Sequence, residues 1–223
     1  MGFFATDAPI FTLYGDGTVI FKDGSAVPPP DPDGIGRLPV FRTAQLGEDE
    51  IQAFLGFAVA EGGLGVAGPQ YTGPGADLPT SVFTIDAGGQ RKTVSVTGIG
   101  MEPEPGPDSR ILQALARLGE KVRNFGPEVD DETDWSPDRW RGILTPDAAD
   151  PPHDWPWPGI PPADFVERPE PGAPRFPIRT MSPADIEALG FAAGGGFSGL
   201  SLEGPDGTTY LLALRPLLPD EPF

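Results

Sequence analysis

The sequence predicts an α+β fold, with antiparallel β-hairpins packed against two main helices and one short helix, and long loops between them. Three observations predict it. The stretch Ile10 to Phe21, I-F-T-L-Y-G-D-G-T-V-I-F, is two apolar runs joined at Asp16-Gly17. Asp-Gly between apolar runs is a strong hairpin signal, because the tight turn needs positive φ and Gly supplies it without steric cost. Apolar residues recur at helical spacing over 48–61 and again over 109–125. A second pair of alternating runs flanks Gly88-Gly89.

Each element follows in chain order. A two-residue turn at Asp16-Gly17 sets Tyr14 opposite Val19, Leu13 opposite Ile20 and Thr12 opposite Phe21. Phe11, Leu13 and Ile20 then share one face, and Thr12, Tyr14, Val19 and Phe21 the other. Both faces are mainly apolar, so the hairpin is expected to be covered on both sides. Lys22 to Arg37 is rich in Pro, Asp and Gly and reads as an exposed loop. Leu38 to Leu46 reads as a third strand. In Glu48 to Glu61, the residues Ile51, Phe54, Leu55, Ala58 and Val59 form one face of a helix. Glu48, Asp49 and Glu50 suit its positive N-terminal end, and Gly62-Gly63 stops it.

Val66 to Thr80 is another Gly/Pro loop. Val82 to Ala87 and Arg91 to Thr97 form the second hairpin. Its turn at Gly88-Gly89 places Phe83 opposite Val94, Ile85 opposite Lys92 and Asp86 across from Arg91. Phe83, Ile85, Val94 and Val96 make an apolar face; Thr84, Asp86, Thr93 and Ser95 make a polar one, so one side only is buried. Ser109 to Phe125 is the second helix, with Ile111, Leu112, Leu115, Leu118 and Val122 on one face and Gly126-Pro127 as its stop. Trp140 to Leu144 and Arg175 to Thr180 read as extended. Ser182-Pro183 starts a short helix, Ala184 to Leu189, with Ser as N-cap and Pro at the first position. Asp206-Gly207 introduces a last strand, Thr208 to Leu214. The chain reads as a single α+β unit, 1–223, with a softer division near residue 100 between 8–99 and 108–216.

Composition narrows the function. The chain has 223 residues and a formal charge of −18, which opposes nucleic acid and anionic lipid surfaces. It has no cysteine, so disulfides, thiol catalysis and cysteine-based zinc sites are excluded. No apolar run reaches the length of a membrane span, and Met1 to Ala8 lacks a signal-peptide pattern. With 31 glycines and 30 prolines, which gather between the patterned segments, the protein is loop-rich rather than low-complexity.

The motifs yield little chemistry. Gly63-Leu64-Gly65-Val66-Ala67-Gly68 matches G-x-G-x-x-G, but a helix precedes it and a loop follows, the reverse of a dinucleotide site. Gly194 to Gly199 matches too, lacks the following helix, and reads as a flexible loop. Gly196-Phe197-Ser198 begins a nucleophile elbow that Leu200 breaks. His153, the single histidine, sits in a Pro/Trp loop with nothing tying it to a serine. Asp31-x-Asp33-Gly34 is half of a calcium loop. Asp130, Asp131, Glu132 and Asp134 are either a weak calcium cluster or, as the commoner case, a solvated acidic loop. Trp155-Pro156-Trp157-Pro158 is either an aromatic surface for sugar or peptide or a plug at the core edge, and the area a Trp buries favours the plug. Arg215 is expected to clamp a carboxylate. The strand–cap–helix–Gly order at 41–58 recurs at 178–192, but with different spacing, which favours coincidence over duplication. No catalytic, cofactor-binding or metal-ligating residue is assigned, and no cofactor.

F-T-L-Y-G-D-G-T-V-I at 11–20, T-x-x-F-T-I-x-A-G-G at 80–89 with K-T-V-S-V at 92–96, and R-P-L-L-P-D-E at 215–221 resemble an uncharacterised family of bacterial secreted proteins and lipoproteins. The resemblance implies an extracellular or cell-envelope location; without it the chain reads as cytoplasmic. Members have an export signal and a further strand upstream, and often a cysteine after the R-P-L-L-P-D-E tail. Ile10 to Tyr14 carries no charge, as a strand with more chain ahead of it would, so a truncated N-terminus is expected. The function expected is a non-catalytic interaction protein with a protein or glycan partner. A carboxylate-dependent hydrolase and a calcium-stabilised binding module are the alternatives.

Overall fold

The computed structural model describes residues 7–22, 35–73, 77–101, 105–129, 131–146, 151–167, 176–190 and 193–221. In chain order these form β1 (Phe11–Leu13), β2 (Thr18–Lys22), β3 (Gly36–Arg37), β4 (Phe41–Gln45), α1 (Glu48–Val59), β5 (Gln70–Thr72), β6 (Thr80–Ala87) and β7 (Gln90–Thr97). There follow α2 (Ser109–Arg123), β8 (Thr133–Asp134), β9 (Trp140–Pro146), β10 (His153–Asp154), β11 (Val166–Glu167), β12 (Pro177–Met181), α3 (Pro183–Glu187), β13 (Phe197–Glu203) and β14 (Thr209–Pro216). The fold is α+β, with mainly antiparallel sheets. One sheet runs β1-β2-β4-β8, one β10-β13-β14-β9-β12-β11 with β3 beside β13, and one β5-β7-β6.

Two compact units result. One takes the described residues within Met1–Ile10, Lys22–Arg42 and Thr133–Phe223; the other takes Phe11–Phe21 and Thr43–Glu132. The softer division expected near residue 100 lies inside the second, where the β6–β7 hairpin and α2 share one core.

In the second unit, that core joins Val94 and Val96 of β7 to Leu115, Leu118 and Val122 of α2, with Ala58 of α1. Each fully buried Val or Leu contributes roughly 1.5–3 kcal/mol. Phe83 and Ile85 of β6 pack at its margin. A neighbouring cluster collects Val19, Phe21, Ala44, Leu46 and Phe125. The ring of Phe125 meets Phe11 and Phe21 edge-on, with centroids 4.8 and 5.4 Å away.

The first hairpin departs from its expected register by one residue. Phe11 faces Phe21, Thr12 faces Ile20 and Leu13 faces Val19. The connection is a three-residue loop, with Tyr14 N–H donating to the Thr18 carbonyl and Gly17 N–H to the Tyr14 carbonyl. Gly17 sits at φ +86, the left-handed residue that closes such a loop with a bulge. Phe11, Leu13, Val19 and Phe21 therefore join one core, and Ile20 faces the other way, opposite Thr12. The expectation of cover on both sides holds for β2, where Val19, Ile20 and Phe21 are all buried.

In the first unit β9 is not a short strand but a seven-residue one, central between β14 and β12. The core holds Trp140, Leu144, Trp157, Met181, Phe197, Leu202, Leu212 and Leu214. The third strand is shorter than expected, beginning at Phe41, because Pro39 has no amide donor and Leu38 donates to the Gly196 carbonyl instead. The segment read as a flexible glycine loop is in its second half strand β13, with a bulge between Phe197 and Leu200. Its glycines permit close backbone approach: a Cβ on Gly195 would lie 1.7 Å from the Pro39 carbonyl oxygen. Ser182 caps α3, accepting from Asp185 N–H at 3.3 Å, and Asp185 returns a bond to Ser182 N–H. Strand β12 covers most of the extended run expected at 175–180; α1 and α3, the helices of the internal echo, differ in length, at 12 and 5 residues. Phe191 and Ala192 of that echo lie outside the described residues.

Candidate functional site

Strand β6 has the sequence T-S-V-F-T-I-D-A, in which half of the residues are β-branched and no Pro, Gly, Lys or Arg occurs. Its residues alternate between exposed and half-buried along all eight positions. The turn at Gly88-Gly89, with φ +59 and +78, is the type I′ geometry that fixes the register expected from sequence. Phe83 opposes Val94, Ile85 opposes Lys92 and Asp86 opposes Arg91.

That register decides where the backbone groups point. Gly98 N–H donates to the Pro79 carbonyl, whereas Gly73 N–H takes the Thr97 carbonyl and Ser95 N–H donates to Pro69. Even-numbered residues of β7 thus bond toward β6, and odd-numbered ones toward β5. In an antiparallel pair the bonded residues alternate with unbonded ones. It follows that Ser81, Phe83, Ile85 and Ala87 bond inward to β7. The N–H and C=O groups of Thr80, Val82, Thr84 and Asp86 point away from the sheet. Among the described residues no backbone partner meets them. Their side chains are the exposed set, Val82 at 51%. The side-chain bonds of this edge run back to β7: Thr80 to Thr97, Thr84 to Thr93, and Asp86 to Arg91 at 2.9 Å.

The other edge strands among the described residues are much shorter. β1 and β5 have three residues each, and β8, β10 and β11 two. Short edges are one way proteins prevent strand addition; edge lysines and prolines are others. β6 has none of these. At the end of β7 opposite its first residue lies an open cavity of about 360 Å³, lined by Thr72, Thr97, Ile99, Asp108, Ser109 and Leu112 among others. Asp108 is the one carboxylate among its described lining residues.

The residues singled out in the sequence fall elsewhere. Arg215 is the clamp expected: 3% exposed, it donates through both terminal nitrogens to Glu221, at 2.8 and 2.7 Å. Burial pushes Glu221 up, but the bonds and charge of Arg215 outweigh it and hold the carboxyl below its ordinary value. Arg139 donates to the carbonyls of Leu218, Pro219 and Glu221, so R-P-L-L-P-D-E closes on itself as a structural lock. Burial, reinforced by Arg215 and opposed by Asp7, lowers Lys22.

Trp157 is buried, with its Nε1–H on the Asp185 carbonyl, and Trp155 packs edge-on against it at 5.3 Å. The tryptophans are the core plug rather than an open aromatic surface. His153 is exposed and pairs with Leu202, four residues along β13 from the exposed Ser198. That is on the order of 13 Å at 3.3 Å per residue, so they do not form a catalytic pair. The Gly63–Gly68 stretch turns between α1 and β5, with no helix beginning after it. Asp134 is paired with Arg42 and Glu128 with Lys121; Asp130, Asp31, Asp33 and Gly34 lie outside the described residues. Among the described residues no three acidic or histidine side chains gather to hold a metal ion. No described helix is long and apolar enough to cross a membrane.

Sequence reasoning assigned no site residue and missed the β6 edge. The hairpin was legible; that β5 takes the far side of β7, leaving β6 as the edge, was not. No protein-family model matches the chain, nor does any curated protein or solved structure.

Proposed function

We propose that this chain is a non-catalytic interaction protein of the extracellular space or cell envelope, holding a partner protein along the free edge of β6. One observation carries the reading: Thr80, Val82, Thr84 and Asp86 present outward backbone groups in an unbroken row. Such an edge is a template for an added strand. A peptide backbone can complete that ladder and a glycan cannot, which favours protein over glycan. The location rests on the resemblance of the hairpin and tail motifs to secreted proteins and lipoproteins.

The hydrolase alternative asks for two carboxylates of shifted pKa in one pocket. The described carboxylates with shifted values are Asp16, Asp206 and Glu221, and each is bonded within its own turn or clamp. The cavity at the end of β7 offers Asp108 alone among its described lining residues.

A photo-crosslinking residue at position 84, expressed in the cell that makes the protein, tests the reading. It is expected to give a discrete protein adduct that the same residue at position 154 does not. Equal adducts at both positions, or none at 84, would overturn it. Turnover of an ester or glycoside substrate that Asp108→Asn abolishes would put the hydrolase in its place.

A further inference from the structure

We infer that the segment added to β6 is an extended, positively charged stretch of another protein, about seven residues long, alternating β-branched and polar side chains. This rests on the edge being the docking surface. Thr80 to Asp86 sets the length, since the outward groups begin and end there. Strands present alternate residues to opposite faces. Half of the added side chains therefore lie beside Phe83 and Ile85, both half-buried at the margin of the α2 core, and burial there favours Val, Ile or Thr. The other half lie beside Val82, Thr84 and Asp86, which are exposed, and polar residues fit.

Charge chooses among occupants. A second copy of the chain would bring −18 against −18, whereas a cationic segment is steered toward the acidic protein. Asp86 lies at one end of the edge, its side chain 57% exposed beside the Arg91 that bonds it.

Three synthetic peptides test this on the full chain. One alternates valine and threonine over seven residues between two terminal lysines. The second replaces both lysines with glutamate. The third keeps the lysines but has proline at its centre. Binding is read by fluorescence anisotropy at low salt and by amide hydrogen exchange. The lysine peptide is expected to slow exchange at Val82, Thr84 and Asp86 at least tenfold. Phe83 and Ile85, already bonded to β7, should change little. The glutamate and proline peptides should bind at least tenfold more weakly. Val82→Pro removes an outward amide without touching the β7 ladder and should abolish binding. Thr84→Lys, a milder change, should weaken it at least tenfold with the circular dichroism unchanged.

Equal affinity for the glutamate peptide would overturn the cationic partner and leave the docking edge standing. A chain that sediments as a dimer, with its own outward amides protected, would make a second copy the occupant and likewise overturn the inference. Binding of the lysine peptide unaffected by either variant would overturn the inference and count against the edge itself.

Discussion

Gly17 and Gly207 occupy the same turn. In each, a residue three positions earlier closes the loop, an aspartate carboxylate accepts from the N–H of the following threonine, and the glycine takes positive φ, +86 and +74. Their surroundings differ. A Cβ on Gly17 would lie 2.3 Å from the Leu46 carbonyl oxygen, and one on Gly207 would meet nothing within 4 Å. Left-handed backbone alone costs a side chain roughly 1–2 kcal/mol. Gly207→Val should therefore cost about that much in a urea melt. Gly17→Val should exceed it by at least about 1 kcal/mol, because backbone must move; equal losses would mean that the contact with Leu46 relaxes freely. The carboxylates of these turns add a pH dependence. The Thr18 N–H lowers Asp16; the Tyr210 hydroxyl, with the Thr208 N–H, lowers Asp206; Arg215 lowers Glu221 against the effect of its burial. A carboxyl lowered on folding contributes stability above its unfolded value, near pH 4, and loses it as the pH falls through the folded value. Glu221→Ala takes the bidentate carboxylate away from buried Arg215 and should cost about 3 kcal/mol at pH 7. The gap from wild type should narrow below about pH 4 as wild-type Glu221 protonates; a gap constant from pH 7 to pH 3 would show that the ion pair does not contribute.

At the scale of elements, Phe125 ties the first hairpin to the end of α2. It is 3% exposed, whereas Phe54, stacked on Phe11 with centroids 5.0 Å apart, is only half-buried. Phe125→Ala should cost about 3–5 kcal/mol by opening a cavity, and Phe54→Ala clearly less, because water already reaches its ring. Denaturant midpoints of the two variants check the order, and Phe54→Ala as the costlier change would contradict it. This ranking was not legible in the sequence, where Phe54 lies on the apolar face of a well-patterned helix and Phe125 trails the end of another. Local chemistry did fix much of the rest. Gly88-Gly89 has one good hairpin solution, so the β6–β7 register was readable to the residue. Asp16-Gly17 has two, because the glycine serves either as the second residue of a two-residue turn or as the left-handed residue of a three-residue loop, and they differ by one residue in register. The glycines at 194–199 were misread for a related reason. Composition does not distinguish a glycine needed for flexibility from one needed because Pro39 or Leu214 passes close by. The candidate site was half legible: the alternation of β6 is local, but its place at the edge depends on β5 pairing in parallel with β7 from more than twenty residues away.

Over the whole molecule, charge and bonded carboxylates act in opposite directions, and their balance predicts where the protein is most stable. At neutral pH the formal charge is −18, and self-repulsion on that scale weakens any compact state. Lowering the pH toward the isoelectric point near 4.2 removes this repulsion. Asp16, Asp206 and Glu221, all held below the ordinary carboxylate value, keep their turns and clamp until the medium is more acidic than that value. Between neutrality and about pH 5, repulsion is therefore relieved before the bonded carboxylates are lost. In low salt, stability should rise as the pH falls from 7, pass through a maximum near pH 5 and drop steeply below about pH 4. Salt at about 0.5 M screens exposed charges within a few ångströms, so it should raise stability at pH 7, change little near pH 5 and flatten the upper side of the curve. Urea midpoints measured from pH 3 to pH 8 at two salt concentrations provide the check. A maximum that stays at neutral pH in low salt, or a pH 7 midpoint that salt leaves unchanged, would show that the acidic surface is offset locally and imposes no net strain on the fold.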